Sequence, residues 1–176
     1  KRVKITEISQ LQPGIVSLWI EDKEIVNEAK AGQFLSIYSD DKSRLLPRPI
    51  SICQIDKAQG KLRMVFRVAG KGTEEFSKKQ AGEYLDVVGP LGNGYAPSEE
   101  DAIIIGGGIG VPPMLQLAAS ISGKKEIVLG YRNADTFLLE EFKEHGSVHI
   151  ATEDGSLGTK GNVIDCIKAE DVKGKV

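Results

Sequence analysis

The first half of the chain has the hydrophobic pattern of a small β structure. Short apolar runs recur between turn residues, and in one of them Leu62, Met64 and Phe66 alternate with residues that would face the other way. A period of two indicates a strand with one apolar face. The other runs cover residues 3–8, 15–20, 34–38, 50–55 and 84–88. Short strands at this spacing predict an antiparallel β-barrel or sandwich.

A different pattern follows the loop 89–101, which is dense in breakers and turn residues. Apolar strands are predicted at 103–105, 127–131 and 148–152, and helices at 112–121, 137–144 and 162–168. Alternating strands and helices predict a parallel sheet covered on both faces. The predicted fold class is therefore β plus α/β, with domains at 1–96 and 97–176. Only three strands support the second domain, so we expect it to be incomplete and the chain to be truncated.

The composition narrows the classes of function. The 176 residues are 40% hydrophobic and 27% charged, as in an ordinary globular protein. The formal net charge of -2 gives no positive electrostatic field that would attract a nucleic acid. No apolar run approaches a membrane span and the start does not resemble a signal peptide, so we expect a cytoplasmic protein. Cys53 and Cys166 lack a paired spacing and are expected to be buried. His145 and His149 are interpreted as isolated surface imidazoles without a catalytic role.

A glycine-rich turn separates the strand at 103–105 from the helix that follows it. Its sequence is Gly106-Gly107-Gly108-Ile109-Gly110-Val111-Pro112. Glycines let a ligand approach the backbone closely, and the free N–H groups of the following helix could bind a nucleotide pyrophosphate. The strict dinucleotide fingerprint fails because Val111 stands where a third small residue is required. A tight turn without a ligand is the alternative.

Two segments of the first half carry groups suited to a phosphate. Arg48 precedes a predicted strand, where its guanidinium can fork onto pyrophosphate oxygens, and the Ser51 hydroxyl follows three residues later. Gly72 and Thr73 open a short segment, 74–79, that is predicted to be helical with Thr73 as its cap. Each residue also has a simpler interpretation when taken singly. Arg48 could be a solvated charge in a loop, Ser51 an ordinary strand residue and Thr73 only a helix cap.

Two carboxylates follow the predicted strand at 148–152. Glu153 and Asp154 would lie at the carboxyl edge of a parallel sheet, where nucleotides bind. A carboxylate there accepts hydrogen bonds from a ribose diol and repels a 2′-phosphate, which favours NAD over NADP. Lys160 is the only cation expected nearby. The alternative is a loop that uses Asp154 and the glycine after it as a turn.

The order of these motifs resembles the ferredoxin reductase superfamily. Within it, the chain is most similar to the electron-transfer subunits of the two-subunit, NAD-dependent (type B) dihydroorotate dehydrogenases. The resemblance covers essentially the whole chain and rests on Arg48-Pro49-Ile50-Ser51, Gly70-Lys71-Gly72-Thr73, Gly89-Pro90-Leu91-Gly92-Asn93-Gly94, Gly106 to Pro113 and Thr152 to Gly161. Single motifs are shared with other reductases, but their joint order is far less expected by chance.

The resemblance implies two cofactor sites. FAD would be bound by Arg48, Pro49, Ile50, Ser51, Val65, Phe66, Arg67, Gly72 and Thr73. NAD(H) would dock across Gly107, Gly108, Ile109, Gly110, Val111 and Pro112, with Glu153 and Asp154 at the ribose. Many superfamily members have an aromatic residue before the serine, where this chain has Ile50.

The same resemblance implies an activity. Electrons would pass from NADH to FAD and then singly through a [2Fe–2S] cluster to the FMN-containing catalytic subunit of dihydroorotate dehydrogenase, in a heterotetramer that serves pyrimidine biosynthesis. In the family the cluster cysteines come after the stretch that this chain contains, so no catalytic residue and no metal ligand is assigned here. The alternatives are another superfamily reductase, serving a ferredoxin, an oxygenase or a hydrogenase partner, and a non-catalytic module that senses NADH.

Overall fold

The computed structural model describes residues 1–96 and 98–173. The chain forms two compact units, Lys1–Tyr95 and Ala96–Val176. The first contains a closed antiparallel barrel and the second contains a parallel sheet. These two architectures confirm the predicted fold class of a β-barrel followed by an α/β unit.

Six strands close the barrel of the first unit. They are β1 Arg2–Gln12, β2 Ile15–Glu21, β3 Phe34–Tyr38, β4 Arg48–Asp56, β5 Lys61–Arg67 and β6 Tyr84–Leu91. Their order around the barrel is β1-β2-β5-β4-β3-β6, and every neighbouring pair is antiparallel. The interior is almost entirely aliphatic, with Leu18, Leu35, Ile52 and Met64 completely buried. Burial of this apolar surface is the main stabilisation of the barrel.

Two short helices pack onto the barrel core. The helix α1, Lys23–Glu28, was not predicted, and it begins where the Asp22 carboxylate accepts the N–H of Ile25 at 3.0 Å. The helix α2, Lys71–Ser77, buries Phe76 completely in the core. A helix of six or seven residues is too short to be stable alone, so the barrel core supplies most of the stability of both.

Four parallel strands form the sheet of the second unit. They are β7 Ala102–Gly107, β8 Lys125–Tyr131, β9 Ser147–Thr152 and β10 Thr159–Lys160, in the order β10-β9-β8-β7. The helices are α3 Val111–Ser120, α4 Leu139–Lys143 and α5 Val163–Ala169. The helix α5 covers a patch that contains Ile103, Val128 and Ala151. The strand β10 was not predicted because two residues carry no detectable period.

The helix α4 begins two residues later than the pattern predicts. Phe137 lies before it and packs edge to face on Tyr131, with ring centroids 5.4 Å apart. The Tyr131 hydroxyl donates to the Phe137 carbonyl at 2.8 Å, and burial raises the pKa of this tyrosine. Leu138 then adopts a left-handed conformation with φ of 62°, which sets the start of the helix at Leu139. Tertiary packing of an aromatic pair therefore overrides the helical pattern.

Both cysteines are buried and neither forms a disulfide, which confirms the prediction for Cys53 and Cys166. None of the helices within the described ranges combines the length and the apolar character that crossing a bilayer requires. Among residues 1–96 and 98–173, no group of three or more His, Cys, Asp or Glu side chains is arranged to hold a metal ion.

Candidate cofactor sites

The first candidate site lies where β4 begins and β5 ends. In the described part of the chain, the last β4–β5 pair at this end is Ile52 with Met64. Residues 48–51 pair only with β3 on their other side, and residues 65–67 pair only with β2. The two predicted FAD-binding stretches therefore run past each other without exchanging hydrogen bonds. Backbone groups left out of a ladder in this way are available to a ligand.

The side chains of the β4 stretch alternate between the core and the surface. Ile50 is buried in the barrel core, whereas Pro49 is exposed and Ser51, opposite Phe34, is half-buried. The predicted hydroxyl donor therefore lies on the outer side of the barrel wall, and Ile50 takes part in packing.

The three predicted residues of β5 differ in what they can offer a ligand. Phe66 points into the core, where its ring packs edge to face on Phe76 with centroids 6.4 Å apart. Val65 is also buried, and only Arg67 is exposed. Val65 and Phe66 could therefore contact a cofactor mainly through their backbone.

Arg48 and Gly72, both predicted to bind one pyrophosphate, lie against each other. An ideal Cβ at Gly72 would lie 2.8 Å from Arg48 Nε and 3.2 Å from Arg48 Cζ. The Arg48 guanidinium also donates to the Leu46 carbonyl, which orients it at the start of β4. Residue 72 must therefore be glycine for the guanidinium to lie against the first turn of α2.

Thr73 does not cap its helix as predicted. The helix starts at Lys71 with Gly70 as N-cap, so Thr73 is the third helical residue. Its Oγ1 accepts the N–H groups of Ala69 and Gly70 at 2.9 and 3.2 Å and donates to the Gly70 carbonyl at 3.0 Å. The prediction was wrong because a residue inside the first turn can reach back to the backbone that precedes the helix. The Thr73 hydroxyl thus orders the loop that leads into the first turn of α2, where Gly72 lies.

Sequence reasoning missed the polar cluster beside this loop. Glu75 accepts the Asp40 N–H at 2.7 Å, forms an ion pair with Arg44 at 2.6 Å and also accepts the Ser39 hydroxyl. These contacts tie the segment that precedes Arg48 to the helix α2. No local pattern indicates them, because the partners are more than thirty residues apart in the chain.

The second candidate site is the glycine turn after β7. Gly106 is packed tightly, since a Cβ there would lie 3.1 Å from Val111 Cα and from Met114 Cγ. At Gly107 and Gly110 a Cβ would meet nothing within 4 Å, and both residues are exposed. The turn therefore uses one glycine for strand–helix packing and presents two others to open space, as a close approach of a ligand would require.

The N-terminus of α3 does not supply the free N–H groups that the sequence analysis expected. The Val111 N–H bonds to the Gly108 carbonyl, while Pro112 and Pro113 have no N–H. An anion at this turn would therefore have to use the N–H groups of Gly107, where β7 ends, or of the 3-10 turn Gly108–Gly110. The prediction was wrong because prolines in the first helical turn remove donors as well as favouring the helix.

The loop after β9 brings together more groups than the sequence analysis expected. Glu153 is exposed, but the Asp154 carboxylate is part of a turn and accepts the N–H and the hydroxyl of Ser156 at 2.9 and 2.6 Å. These hydrogen bonds hold the pKa of Asp154 below its ordinary value. Lys160 folds back over the loop, with side-chain carbons 3.0 Å from an ideal Cβ at Gly155.

Lys160 is not the only cation near this loop. The Asp154 N–H points to the carbonyl of Arg132 at 3.4 Å, so the loop after β8 lies beside the loop after β9. Sequence reasoning missed Arg132, although it directly follows a predicted parallel strand and therefore belongs to the same sheet edge.

His149 is not an isolated surface imidazole as the sequence analysis had it. On β9, its Nε2 contacts Glu126 Oε2 of β8 at 2.6 Å, and its Nδ1 bonds to Glu170 at the end of α5. Burial lowers the pKa of His149, but the bonds to the two carboxylates outweigh burial and place this pKa above its ordinary value. His149 therefore links the sheet to the end of α5. It is not part of the glycine turn.

The chain is similar to named proteins over most of its length, although no family model matches it. It is 42% identical over 169 residues to the dihydroorotate dehydrogenase B (NAD(+)) electron transfer subunit of Streptococcus pneumoniae R6. It is 41% identical over 174 residues to the protein of the same name from Listeria welshimeri, covering 94% of this chain and 68% of that relative. The chain belongs to this family of electron transfer subunits. It spans about two thirds of the length of these relatives.

Solved structures with this fold include several reductases. The NADH-dependent reduced ferredoxin-NADP oxidoreductase, studied for flavin-based electron bifurcation, matches this chain with a TM-score of 0.87 at 30% identity, over 98% of this chain and 64% of that one. Ferredoxin-NADP+ reductase from Plasmodium falciparum, solved with 2′P-AMP, matches with a TM-score of 0.79 over 96% of this chain and 78% of that one. At 16% identity the second match shows the fold alone. The resemblance to the superfamily is thereby confirmed.

Proposed function

We propose that this chain binds FAD on its barrel and NAD(H) at its parallel sheet, and passes electrons from NADH toward a dihydroorotate dehydrogenase catalytic subunit. The observation that carries the proposal is the contact between Arg48 and Gly72 beside unpaired strand ends, in a chain whose relatives are named electron transfer subunits. A mobile guanidinium would be a poor anchor, whereas one packed on a glycine is preorganised for a diphosphate.

On the barrel, we assign the FAD diphosphate to Arg48 and to the turn that carries Gly72 and Thr73. Ser51 and the stretch 65–67 would face the rest of the cofactor, Ser51 with its hydroxyl and Val65 and Phe66 with their backbone. Pro49 and Ile50 shape this strand, the first at the surface and the second through the core. The fit is supported by the unused backbone positions on both strands.

At the parallel sheet, we assign the dinucleotide diphosphate to the turn from Gly107 to Gly110, with Val111 and Pro112 fixing the helix behind it. Glu153 and Asp154 would select NADH, since a 2′-phosphate would meet a carboxylate there. The open space above Gly107 and Gly110 supports a close approach of a ligand to the backbone.

No acid–base residue is needed for this chemistry. The redox chemistry would be supplied by FAD, which when bound could take up a hydride and give up electrons one at a time. The chain's own residues would bind, orient and shield the two cofactors, so the two imidazoles and the buried thiols need no catalytic role.

The wider assembly is also a proposal. The names of the relatives support a catalytic partner subunit, and we extend this to an FMN-containing partner in a heterotetramer, a [2Fe–2S] cluster in the longer protein, and a cytoplasmic location. The alternative function within the superfamily is that of a reductase that serves another electron acceptor. It differs from the proposed function only in the partner that receives the electrons.

The absorbance spectrum of the purified protein, before and after anaerobic NADH addition, tests the proposal. We expect the purified protein to carry nearly one flavin per chain and NADH to bleach its absorbance band rapidly. The reduced flavin should then pass its electrons on when the dihydroorotate dehydrogenase catalytic subunit is added. A colourless protein that nevertheless binds NADH would favour the sensing module. Because the proposal puts the [2Fe–2S] cluster in the longer protein, the transfer step is measured with that protein. Rapid bleaching there with no transfer to the catalytic subunit would favour a reductase with another partner.

A further inference from the structure

Phe34 and Ser51 face each other on the outer wall of the barrel. Leu35, which follows Phe34 on β3, lies in the barrel core. Ile50 and Ile52, which flank Ser51 on β4, lie there as well. Because side chains alternate along a strand, Phe34 and Ser51 both point away from the core, and they are register partners across the two strands. An aromatic ring and a hydroxyl therefore share one face of the sheet.

The pairing of Phe34 with Ser51 is of the close kind found in antiparallel ladders. The Ile52 N–H donates to the Gln33 carbonyl at 2.9 Å, so this neighbouring pair carries the hydrogen bonds. Phe34 and Ser51 then form a non-hydrogen-bonded pair, in which the Cα atoms are about 4.5 Å apart and the side chains lie close together. A ligand group that reaches the Ser51 hydroxyl would therefore also meet the Phe34 ring.

The Phe34 ring is fixed against the segment in which β6 ends. Leu91 pairs with Phe34 across the ladder between β3 and β6, and an ideal Cβ at Gly92 would lie 3.3 Å from Phe34 Cε1 and 3.5 Å from its Cδ1. The Gln33 side chain donates to the Gly92 carbonyl at 2.7 Å, which holds this backbone beneath the ring. The ring is thus ordered, although it lies outside the barrel core.

The face that carries Phe34 and Ser51 borders the open ladder between β4 and β5. Among the residues that the structure describes, this ladder begins at Ile52 and Met64, so Ser51 pairs with β3 but not with β5. Phe34 and Ser51 are both half-buried, which leaves part of each side chain exposed. A partly exposed aromatic ring beside a hydroxyl and unpaired backbone groups offers apolar and polar contacts on one surface, as binding of a planar heteroaromatic ring requires.

We propose that Phe34 contacts the isoalloxazine ring of FAD, and that the phenyl ring and the Ser51 hydroxyl together position the reactive edge of the flavin. The role given to Phe34 rests on the proposed FAD site and adds a residue from a strand to which the sequence analysis assigned no cofactor contact. Isoalloxazine is planar and aromatic, so it packs favourably on a phenyl ring. The same ring keeps water away from the Ser51 hydroxyl, and a hydrogen bond is stronger where the local dielectric constant is lower.

Equilibrium dialysis of the purified flavin-loaded protein measures the contribution of Phe34 to FAD binding. Phe34→Leu keeps an apolar side chain but removes the ring, and it should raise the dissociation constant for FAD about three- to tenfold, as expected for one aromatic contact. Phe34→Tyr keeps the ring and should restore the wild-type value. Tyr38→Leu is the matched control, because Tyr38 is an exposed aromatic residue at the other end of β3 on the same outer face, and it should bind FAD like the wild type.

An absorbance measurement separates contact with the flavin from mere support of the fold. An indole is a better electron donor than a phenyl ring, so Phe34→Trp should add a charge-transfer absorbance at wavelengths beyond the flavin band. Tyr38→Trp should show no such absorbance. A substitution that only disturbed the barrel would weaken FAD binding without producing it.

Three results would overturn the inference. One is wild-type FAD affinity in Phe34→Leu, another is an equal loss of affinity in Phe34→Leu and Phe34→Tyr, and the third is a flavin-loaded Phe34→Trp protein whose long-wavelength absorbance equals that of Tyr38→Trp. If Phe34→Trp does not retain flavin, the two dialysis results still decide. A wild-type protein that carries no flavin would overturn the proposed function and this inference together, whereas the three results in a flavin-loaded wild type leave the proposed function standing.

Discussion

The guanidinium of Arg48 occupies the space that a side chain at Gly72 would need, with Arg48 Nε 2.8 Å from the ideal Cβ position. The first strand residue of β4 and the second residue of α2 therefore form one structural unit. This contact explains why a glycine occupies a buried position of a helix, where alanine would otherwise be favoured.

The first prediction is that Gly72→Ala weakens FAD binding by displacing Arg48. The added methyl group cannot share the space with the guanidinium, so either the arginine or the turn must move. Arg48→Ala should weaken binding further, by about 1.5–3 kcal/mol, the value of a charge-assisted hydrogen bond. Flavin titration of the apoprotein measures both. Gly70→Ala, at a position with open space, is the control and should retain its flavin; wild-type affinity in folded Arg48→Ala would remove this residue from the site.

The second prediction distinguishes a packing glycine from a binding glycine. Gly107→Ala should leave the melting temperature unchanged, because its φ of -131° suits alanine and nothing lies within 4 Å. It should weaken NAD⁺ binding about tenfold, since the methyl group would stand between backbone and nucleotide. Gly106→Ala should show the opposite pattern of a lower melting temperature, because its methyl group would press on Val111 and Met114. Unchanged NAD⁺ affinity in Gly107→Ala would place the nucleotide elsewhere.

The third prediction concerns the pH dependence of the second unit. The pKa of His149 is higher in the folded chain than its ordinary value of 6.5, so the folded state binds the proton more tightly. The stabilisation is complete below about pH 6.5 and is lost as the pH rises through the folded-state pKa. His149→Gln should therefore lower the free energy of unfolding by about 1 kcal/mol at pH 6 and by less at pH 9.

Chemical denaturation at several pH values tests this result, with His145→Gln as the control for loss of an imidazole elsewhere. A difference between wild type and His149→Gln that is constant from pH 6 to pH 9 would show that Glu126 and Glu170 do not stabilise a protonated ring.

The fourth prediction is that Glu75 stabilises the segment leading to Arg48. Glu75→Gln removes the charge that pairs with Arg44, while the amide oxygen can still accept one bond from the Asp40 N–H. We expect a loss of about 1–2 kcal/mol in the free energy of unfolding, because the pair is partly buried, together with weaker flavin binding. Glu74→Gln, whose exposed pair with Lys78 lies on the same helix, should change neither property noticeably. Equal effects of the two substitutions would argue against the role given to Glu75.

The architecture of the chain was readable from its sequence because it rests on local periodicity. The pattern at 34–38 coincides with β3, and the alternation around Met64 marks the core-facing side of β5. Glycine density located the turn after β7, and motif order indicated the superfamily. Each of these signals lies within a few residues of chain, where hydrophobic spacing and backbone freedom decide the structure.

Only the tertiary structure decided which polar groups are already engaged. Thr73 is bonded to the loop before its helix, Asp154 is held by Ser156, and His149 lies between carboxylates from two other elements. The contact between Arg48 and Gly72 likewise joins residues from separate elements. Hydrogen bonds and ion pairs act over about 3 Å in space, and the sheet register that sets these distances depends on packing of the whole core.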